Sequence, residues 1–251
     1  MRSCIFTNDN NTAINLIEHP YSETFAGRDR HEVLFRRMHG YLFDNGIIQN
    51  NIIDLGAWIG DNTVPWAKRQ SGSIIYAIDP SRENCEFIRQ MCEHNQISNV
   101  KIFQTAISDK VETISTDDDM YHCTFVEGTS GKNKVEAVSL DYLFENREIE
   151  NIGYIHLDVE GMEYKVIRGA EKIISTCRPV ITFEQHLQTD NYTLILEHLT
   201  DRDYVVFLMD EILPGCRPDC RNSIAFPREK FNQDIVDGIN QYLGVQIMLP
   251  F

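Results

Sequence analysis

From residue 51 onward, short apolar blocks alternate with longer stretches in which apolar residues recur every three or four positions. The blocks at 51–55 (NIIDL), 73–78 (SIIYAI), 100–104 (VKIFQ), 152–157 (IGYIHL) and 180–183 (VITF) have the length and β-branched character of buried strands. The stretches at 61–69, 82–95 and 163–175 read as helices, the last with Val166, Ile167, Ala170, Ile173 and Ile174 on one face. Strands alternating with helices predict βαβ units and an α/β fold, a parallel sheet covered on both faces. Residues 204–209 and 222–226 read as two more strands. The loop PGCRPDC between them leaves no room for a crossover helix, which predicts an antiparallel pair.

Ahead of this domain, residues 30–45 carry Leu34, Phe35, Met38, Leu42 and Phe43 on one helical face, and Asn45-Gly46 stops the helix. Residues 1–30 are polar and Asn-rich and read as an irregular arm. The chain thus divides into an arm and helix at 1–46 and a domain at 47–251, forming one globular unit. Residues 111–138, with Asp117-Asp118-Asp119, YHCTFVEG and Thr129-Ser130-Gly131-Lys132, break the alternation and read as an inserted hairpin or lid.

Composition narrows the partners. The 251 residues hold 23 Lys and Arg against 38 Asp and Glu, a net charge of −15. Such a chain lacks the cations that grip nucleic-acid phosphates or an anionic membrane surface, so neither partner is expected. No run of apolar residues reaches the roughly 18 needed to span a bilayer. The first residues place Asn and Asp where a signal peptide has its apolar core, so a cytoplasmic location is expected. The seven cysteines (Cys4, Cys85, Cys92, Cys123, Cys177, Cys216 and Cys220) are odd in number and scattered, as in a reducing compartment. Cys216 and Cys220 are close in sequence, but no neighbouring Cys or His completes a zinc set, so they read as two free thiols in a loop.

The sharpest local pattern is IIDLGAWIGDNT, 52–63, which runs from a strand through Gly56 and Gly60 into a helix. Glycines there allow a tight turn and close approach of a ligand. The next strand ends in Asp79, nineteen positions after Gly60, placed to accept hydrogen bonds from ribose hydroxyls. Trp58 occupies the position where a dinucleotide fingerprint needs glycine for pyrophosphate, which argues against a nicotinamide-dependent dehydrogenase. No Lys follows Gly60 as in a P-loop. A nucleoside without pyrophosphate fits, and S-adenosylmethionine is one; carboxylates and aromatic faces attract its sulfonium. The Trp58 ring itself reads equally as packing against the arm.

The later strands end in further carboxylates. In HLDVEGMEY, Asp158 follows a buried strand, Glu160 stands at the start of the next helix, and Glu163 sits in its first turn and supports the helix N-terminus. The strand at 180–183 runs into Glu184 and His186, which share a face. Asp158, Glu160, Glu184 and His186 can therefore converge as the acid–base set of a methyl transfer to a hydroxyl. Asp158, Glu184 and His186 are equally candidates to hold Mg²⁺ or another divalent ion. His122 and His156 have no assigned role. Tyr121, Phe125 and Tyr192 are candidate stacking faces for a sugar ring.

Taken in order, IIDLGAWIGDNT, AIDPSREN, NVKIFQTAISD, VSLDYLF, YIHLDVEGMEYKVIRGAEKII and RPVITFEQH resemble the FkbM family of S-adenosylmethionine-dependent methyltransferases over residues 50–187. The resemblance implies a Rossmann-like class I methyltransferase fold: a seven-stranded, mainly parallel sheet with an antiparallel last strand and helices on both faces. It implies O-methylation of a hydroxyl on a sugar, glycan or other small-molecule acceptor. Asp54, Gly56 and Gly60 would line the methionine end of the cofactor site, and Ala57, Trp58 and Asn62 of the same turn would also bind the cofactor; the family usually has Asn in place of Trp58. Asp79 would meet the ribose, Pro80 and Ser81 beside it would also bind the cofactor, and Gln104, Thr105 and Ala106 would flank the adenine. Asp158 and Glu160 would stand at the reaction centre. The alternatives are an RNA ribose methyltransferase, which needs basic groups not seen here, and a non-catalytic methyltransferase-like binding module.

Overall fold

A computed structural model describes residues 2–118, 123–126, 133–212 and 216–249. The arm is not irregular. It forms a hairpin, β1 (Arg2–Phe6) with β2 (Thr12–Leu16), then helix α1 (Ser22–Gly27) and a 3-10 turn at Arg28–Arg30. Asn10 and Asn11 take positive φ in the hairpin turn, where Asn is well tolerated. The Asn content therefore marked a turn rather than disorder. Phe6, Ile14, Leu16 and Phe25 are buried in one cluster with Val64, Phe87 and Met91.

Helix α2 (Val33–Asp44) follows, then strand β3 (Asn51–Leu55), α3 (Thr63–Arg69), β4 (Ile75–Ile78), α4 (Arg82–His94) and β5 (Val100–Phe103). Next come β6 (Ala106–Ile107), β7 (Glu112–Asp118), β8 (Cys123–Val126), β9 (Asn133–Val138) and α5 (Leu140–Glu145). The chain continues through β10 (Ile152–Leu157), α6 (Glu163–Arg168), α7 (Glu171–Thr176), β11 (Val180–His186) and α8 (Asp190–Thr200). It ends with β12 (Tyr204–Met209), β13 (Cys220–Pro227) and α9 (Gln233–Leu243).

The main sheet has seven strands in the order β12-β13-β11-β10-β3-β4-β5. Strands β11, β10, β3, β4 and β5 run parallel, and β13 is antiparallel to both β11 and β12. This is the mainly parallel sheet with an antiparallel last strand that the resemblance implies. Adjacent residues of each strand face opposite sides, and both sides are buried. Ile53, Ile155 and Phe183 pack with α5–α8 on one side. Ile52, Tyr154 and Ile224 pack with α2, Trp66 of α3 and α9 on the other.

The expected helix at 163–175 is two. Gly169 and Ala170 interrupt it, and the Asp141 carboxylate accepts the Lys172 and Ile173 N–H groups at the start of α7 (2.9–3.1 Å). Strand β11 runs three residues beyond the expected Phe183, because β13 pairs with it as far as His186–Cys220. The insert forms a second sheet, ordered β6-β9-β7-β8.

Candidate functional site

Strand order reverses direction between β3 and β10, and such a switch point opens a crevice beyond the carboxyl ends of the strands. Leu55 pairs with Leu157 and Ile78, and Leu157 with Phe183. The next residues along the chain are Gly56, Asp158, Asp79 and, still within β11, Glu184, which therefore stand side by side along one rim. A cleft of about 980 Å³, solvent-facing mouth included, opens there. Gly56, Trp58, Asp79, Pro80, Thr105, Ala106, Asp158 and Glu160 line it, as do Arg28, Ile107, Ile114 and Met162.

The cleft floor depends on Gly56. A Cβ at this residue, where φ is +72°, would lie 1.8 Å from the Asp158 carbonyl oxygen. The turns after β3 and β10 thus touch through backbone alone, and the Asp158 N–H donates to Leu55 O (3.1 Å). Gly60 serves packing instead, since its missing Cβ makes room for Ile88 of α4.

On one side of the cleft, Asp79 Oδ2 accepts the Trp58 N–H (2.9 Å), and Oδ1 accepts Ser81 N–H (2.8 Å) and Asn84 Nδ2 (3.1 Å). Burial nevertheless lifts its carboxyl to about 6. On the other side, desolvation and the charges of Glu184, Glu160 and Glu32 push Asp158 well above the usual carboxylate range. Burial also raises Glu184. The turn that carries Asp158 and Glu160 is held from behind by Glu163, which accepts the Val159 and Gly161 N–H groups (3.2 Å each) and Gln185 Nε2 (2.6 Å). Burial raises Glu163 to about 7. Glu160 and Trp58 both take positive φ, +52° and +46°, in the two turns that border the cleft.

Several expected residues sit behind the lining. Asp54 is 1% exposed and is hydrogen-bonded to Thr63 Oγ1 and to His156 Nδ1 (2.8 Å), so it braces the turn from below. Ala57 is buried in the core under the arm, and its N–H donates to Ile78 O. Asn62 Oδ1 accepts from Arg36. Ser81 caps α4. Gln104 is exposed just past β5. Tyr192 is buried against Phe183. Tyr121 and His122, together with 127–132 and the Phe125 side chain, lie outside the described residues.

The arm supplies a part of the wall that the sequence did not announce. Arg28 lies over the Trp58 ring (5.2 Å) and donates to Asp61 Oδ2 (2.8 Å) and Glu32 Oε2 (3.0 Å). The buried Arg36 donates to the same Asp61 oxygen (2.5 Å). Asp61 is lowered to about 2, the two guanidinium groups outweighing its burial. Ile114 of the insert also reaches the cleft.

His186 does not line the cleft. It gathers with Cys216 and Cys220, and among the described residues this group alone has the metal-ligand spacing of three or more such side chains. The two cysteines do have a histidine nearby, contrary to expectation, because antiparallel pairing sets Cys220 opposite His186.

Comparison with known proteins bears on the family and the fold. The model of a family described as Methyltransferase FkbM domain matches residues 54–206. No curated protein matches the chain. The crystal structure of Methyltransferase FkbM from Methylobacillus flagellatus KT is similar, with TM-score 0.52 and 18% identity over 87% of this chain. The match spans 57% of that protein, so this chain covers little more than half its length. Precorrin-6y C5,15-methyltransferase from Geobacter metallireducens GS-15 gives TM-score 0.45 and 13% identity over 75% of this chain and 88% of its own. An rRNA methylase from Streptococcus thermophilus gives 0.47 and 11%, over 85% and 99%.

Proposed function

The chain belongs to the FkbM methyltransferase family, whose members depend on S-adenosylmethionine, and from that we propose an O-methyltransferase acting on a hydroxyl of a small-molecule or glycan acceptor. The observation that carries this reading is the cleft at the β3–β10 switch point, with Asp79 on one side and Asp158 and Glu160 on the other.

The cleft suits the cofactor. Asp79 is the acceptor for ribose hydroxyls, and Thr105, Ala106 and Ile107 offer an adenine a wall of small and apolar groups. Gly56 leaves backbone space at the methionine end, and the carboxylates of Asp158 and Glu160 favour a cation beside them. S-adenosylmethionine supplies a methyl group activated by its sulfonium.

The protein must align the acceptor oxygen and remove its proton. Asp158 lines the cleft and is anchored by its own N–H to Leu55, so we assign it the proton. Glu160 and Glu184 flank it and can accept hydrogen bonds from further acceptor hydroxyls, as a sugar would offer. Glu163 is a positioning residue, because it fixes the turn through two N–H groups and does not itself line the cleft. Alignment contributes several kcal/mol to such a step, and a positioned base about 10²–10⁴-fold in rate.

The test is release of S-adenosylhomocysteine across a panel of sugars, hydroxylated small molecules, amines and RNA. Turnover is expected with a hydroxyl acceptor. Asp158→Asn is expected to lower kcat by about 10²-fold or more, with cofactor affinity within a few-fold of the parent. Methylation confined to amines or RNA, or full turnover in both Asp158→Asn and Glu160→Gln, would overturn the reading.

A further inference from the structure

We propose that the loop before β13 and the end of β11 form a zinc site, with His186, Cys216 and Cys220 as ligands and Glu184 as the fourth donor. The fold brings these groups together from two strands. His186 and Cys220 are cross-strand partners, and Glu184 lies on the same face of β11 as His186. Cys216 returns to them because the loop turns tightly at Arg217–Asp219, where the Cys220 N–H donates to Arg217 O (2.9 Å). The loop is also tied to the end of β11, since the Leu187 N–H donates to Asp219 O (3.0 Å) and the Gln188 N–H to Asp219 Oδ2 (3.3 Å).

The ligand atoms of His186, Cys216 and Cys220 all lie within 4.8 Å of one another. Glu184 Oε1 is 2.8 Å from Cys220 Sγ and 3.6 Å from Cys216 Sγ. With Zn–S of about 2.3 Å and Zn–N and Zn–O of about 2.0–2.2 Å, the edges of a tetrahedral site are about 3.3–3.8 Å. Closing to that size takes side-chain rotation and a small loop shift, with no change of fold. A second observation points to a ligand: His186 Nδ1 is shielded from solvent and has no hydrogen-bond partner, its nearest carboxylate oxygen, Asp219 Oδ1, being 3.7 Å away. Unpaired shielded nitrogens are uncommon, because each loses its hydration without replacement.

Donor chemistry selects the ion. Two thiols and an imidazole suit zinc, whereas Mg²⁺ prefers oxygen and keeps its waters. The Mg²⁺ expected at Asp158, Glu184 and His186 is therefore replaced at His186 by zinc on sulfur. Binding releases the two thiol protons and changes no oxidation state. The consequence is structural: the loop is clamped to β11 beside Glu184.

The full chain, purified under reductant without chelator, is expected to carry one zinc per chain by elemental analysis. Cobalt put in its place is expected to show sulfur-to-metal charge transfer with the intense visible bands of a tetrahedral site. Cys220→Ser and His186→Ala are each expected to lose more affinity than the about 10–100-fold that follows removal of a group that only hydrogen-bonds to a ligand. Asp79→Ala, at the far side of the cleft, keeps the metal. Should those variants fail to fold, the parent chain answers alone: added Zn²⁺ shields two cysteines from alkylation, and mapping places them at 216 and 220. No zinc in the parent chain after incubation with Zn²⁺, no cobalt–thiolate band, or protection of other cysteines would overturn the proposal, as would zinc retained by both Cys220→Ser and His186→Ala.

Discussion

At Asp79, two demands meet in one side chain. Three N–H donors hold its carboxylate in place, yet burial lifts it to about 6 from an ordinary value of 3.8. The folded chain thus binds this proton more tightly than the unfolded chain does. As pH rises from about 4 to 6 the group costs stability, and above that window the cost is fully present. In the proposed cofactor site, ribose hydroxyls would bind the ionised form. Cofactor affinity is therefore expected to be flat above about pH 7 and to fall toward tenfold per unit below about 6. Titration calorimetry between about pH 5 and 8 reads this directly. Affinity that stays flat to the acid end would remove Asp79 from the ribose contact. The sequence placed Asp79, Asp158 and Glu160 on the rim because each follows a recognisable strand. It could not show that Asp54 turns inward to His156, since strand alternation leaves both faces of this sheet buried.

At the scale of elements, α2 shows how distant segments position the site. Its first turn has no side-chain cap of its own, and Glu32 before it is left-handed. The needed acceptor comes from beyond β12, where the Glu211 carboxylate takes the Leu34 and Phe35 N–H groups (2.9 and 3.1 Å). Glu211→Ala is expected to destabilise the fold by about 1–2 kcal/mol, seen as a drop of a few degrees in Tm, with Glu211→Gln recovering part of it. An unchanged Tm would mean that water caps α2 equally well. No local pattern announces such a cap, because its two halves are 176 residues or more apart in the chain. The same limit hid the metal-ligand cluster. The sequence shows Cys216 and Cys220 as an isolated pair, and only the antiparallel pairing of β11 with β13 brings His186 to them. Strands β3, β4 and β10 were legible because each apolar block ends at a polar or glycine turn. The arm hairpin was not, since Asn-rich turns look alike in order and disorder.

For the whole molecule, the family match at 54–206 covers the strand ends that border the cleft but not the arm or α9. The arm nevertheless closes the cleft through Arg28, whose charge is neutralised by Asp61 and Glu32. With a net charge of −15 and further carboxylates around Asp158 at the cleft, the molecule has little to offer a polyphosphate. That balance fits a cationic nucleoside and a hydroxyl-rich acceptor better than RNA. The most direct measurement is calorimetric titration of the full chain with S-adenosylmethionine, S-adenosylhomocysteine and NAD, with Asp79→Ala alongside. The first two are expected to bind with affinity on the order of micromolar, to lose it in the variant, and to leave NAD without a site. Binding of NAD in their place, or of none of the three, would contradict the assignment of this cleft to methyl transfer.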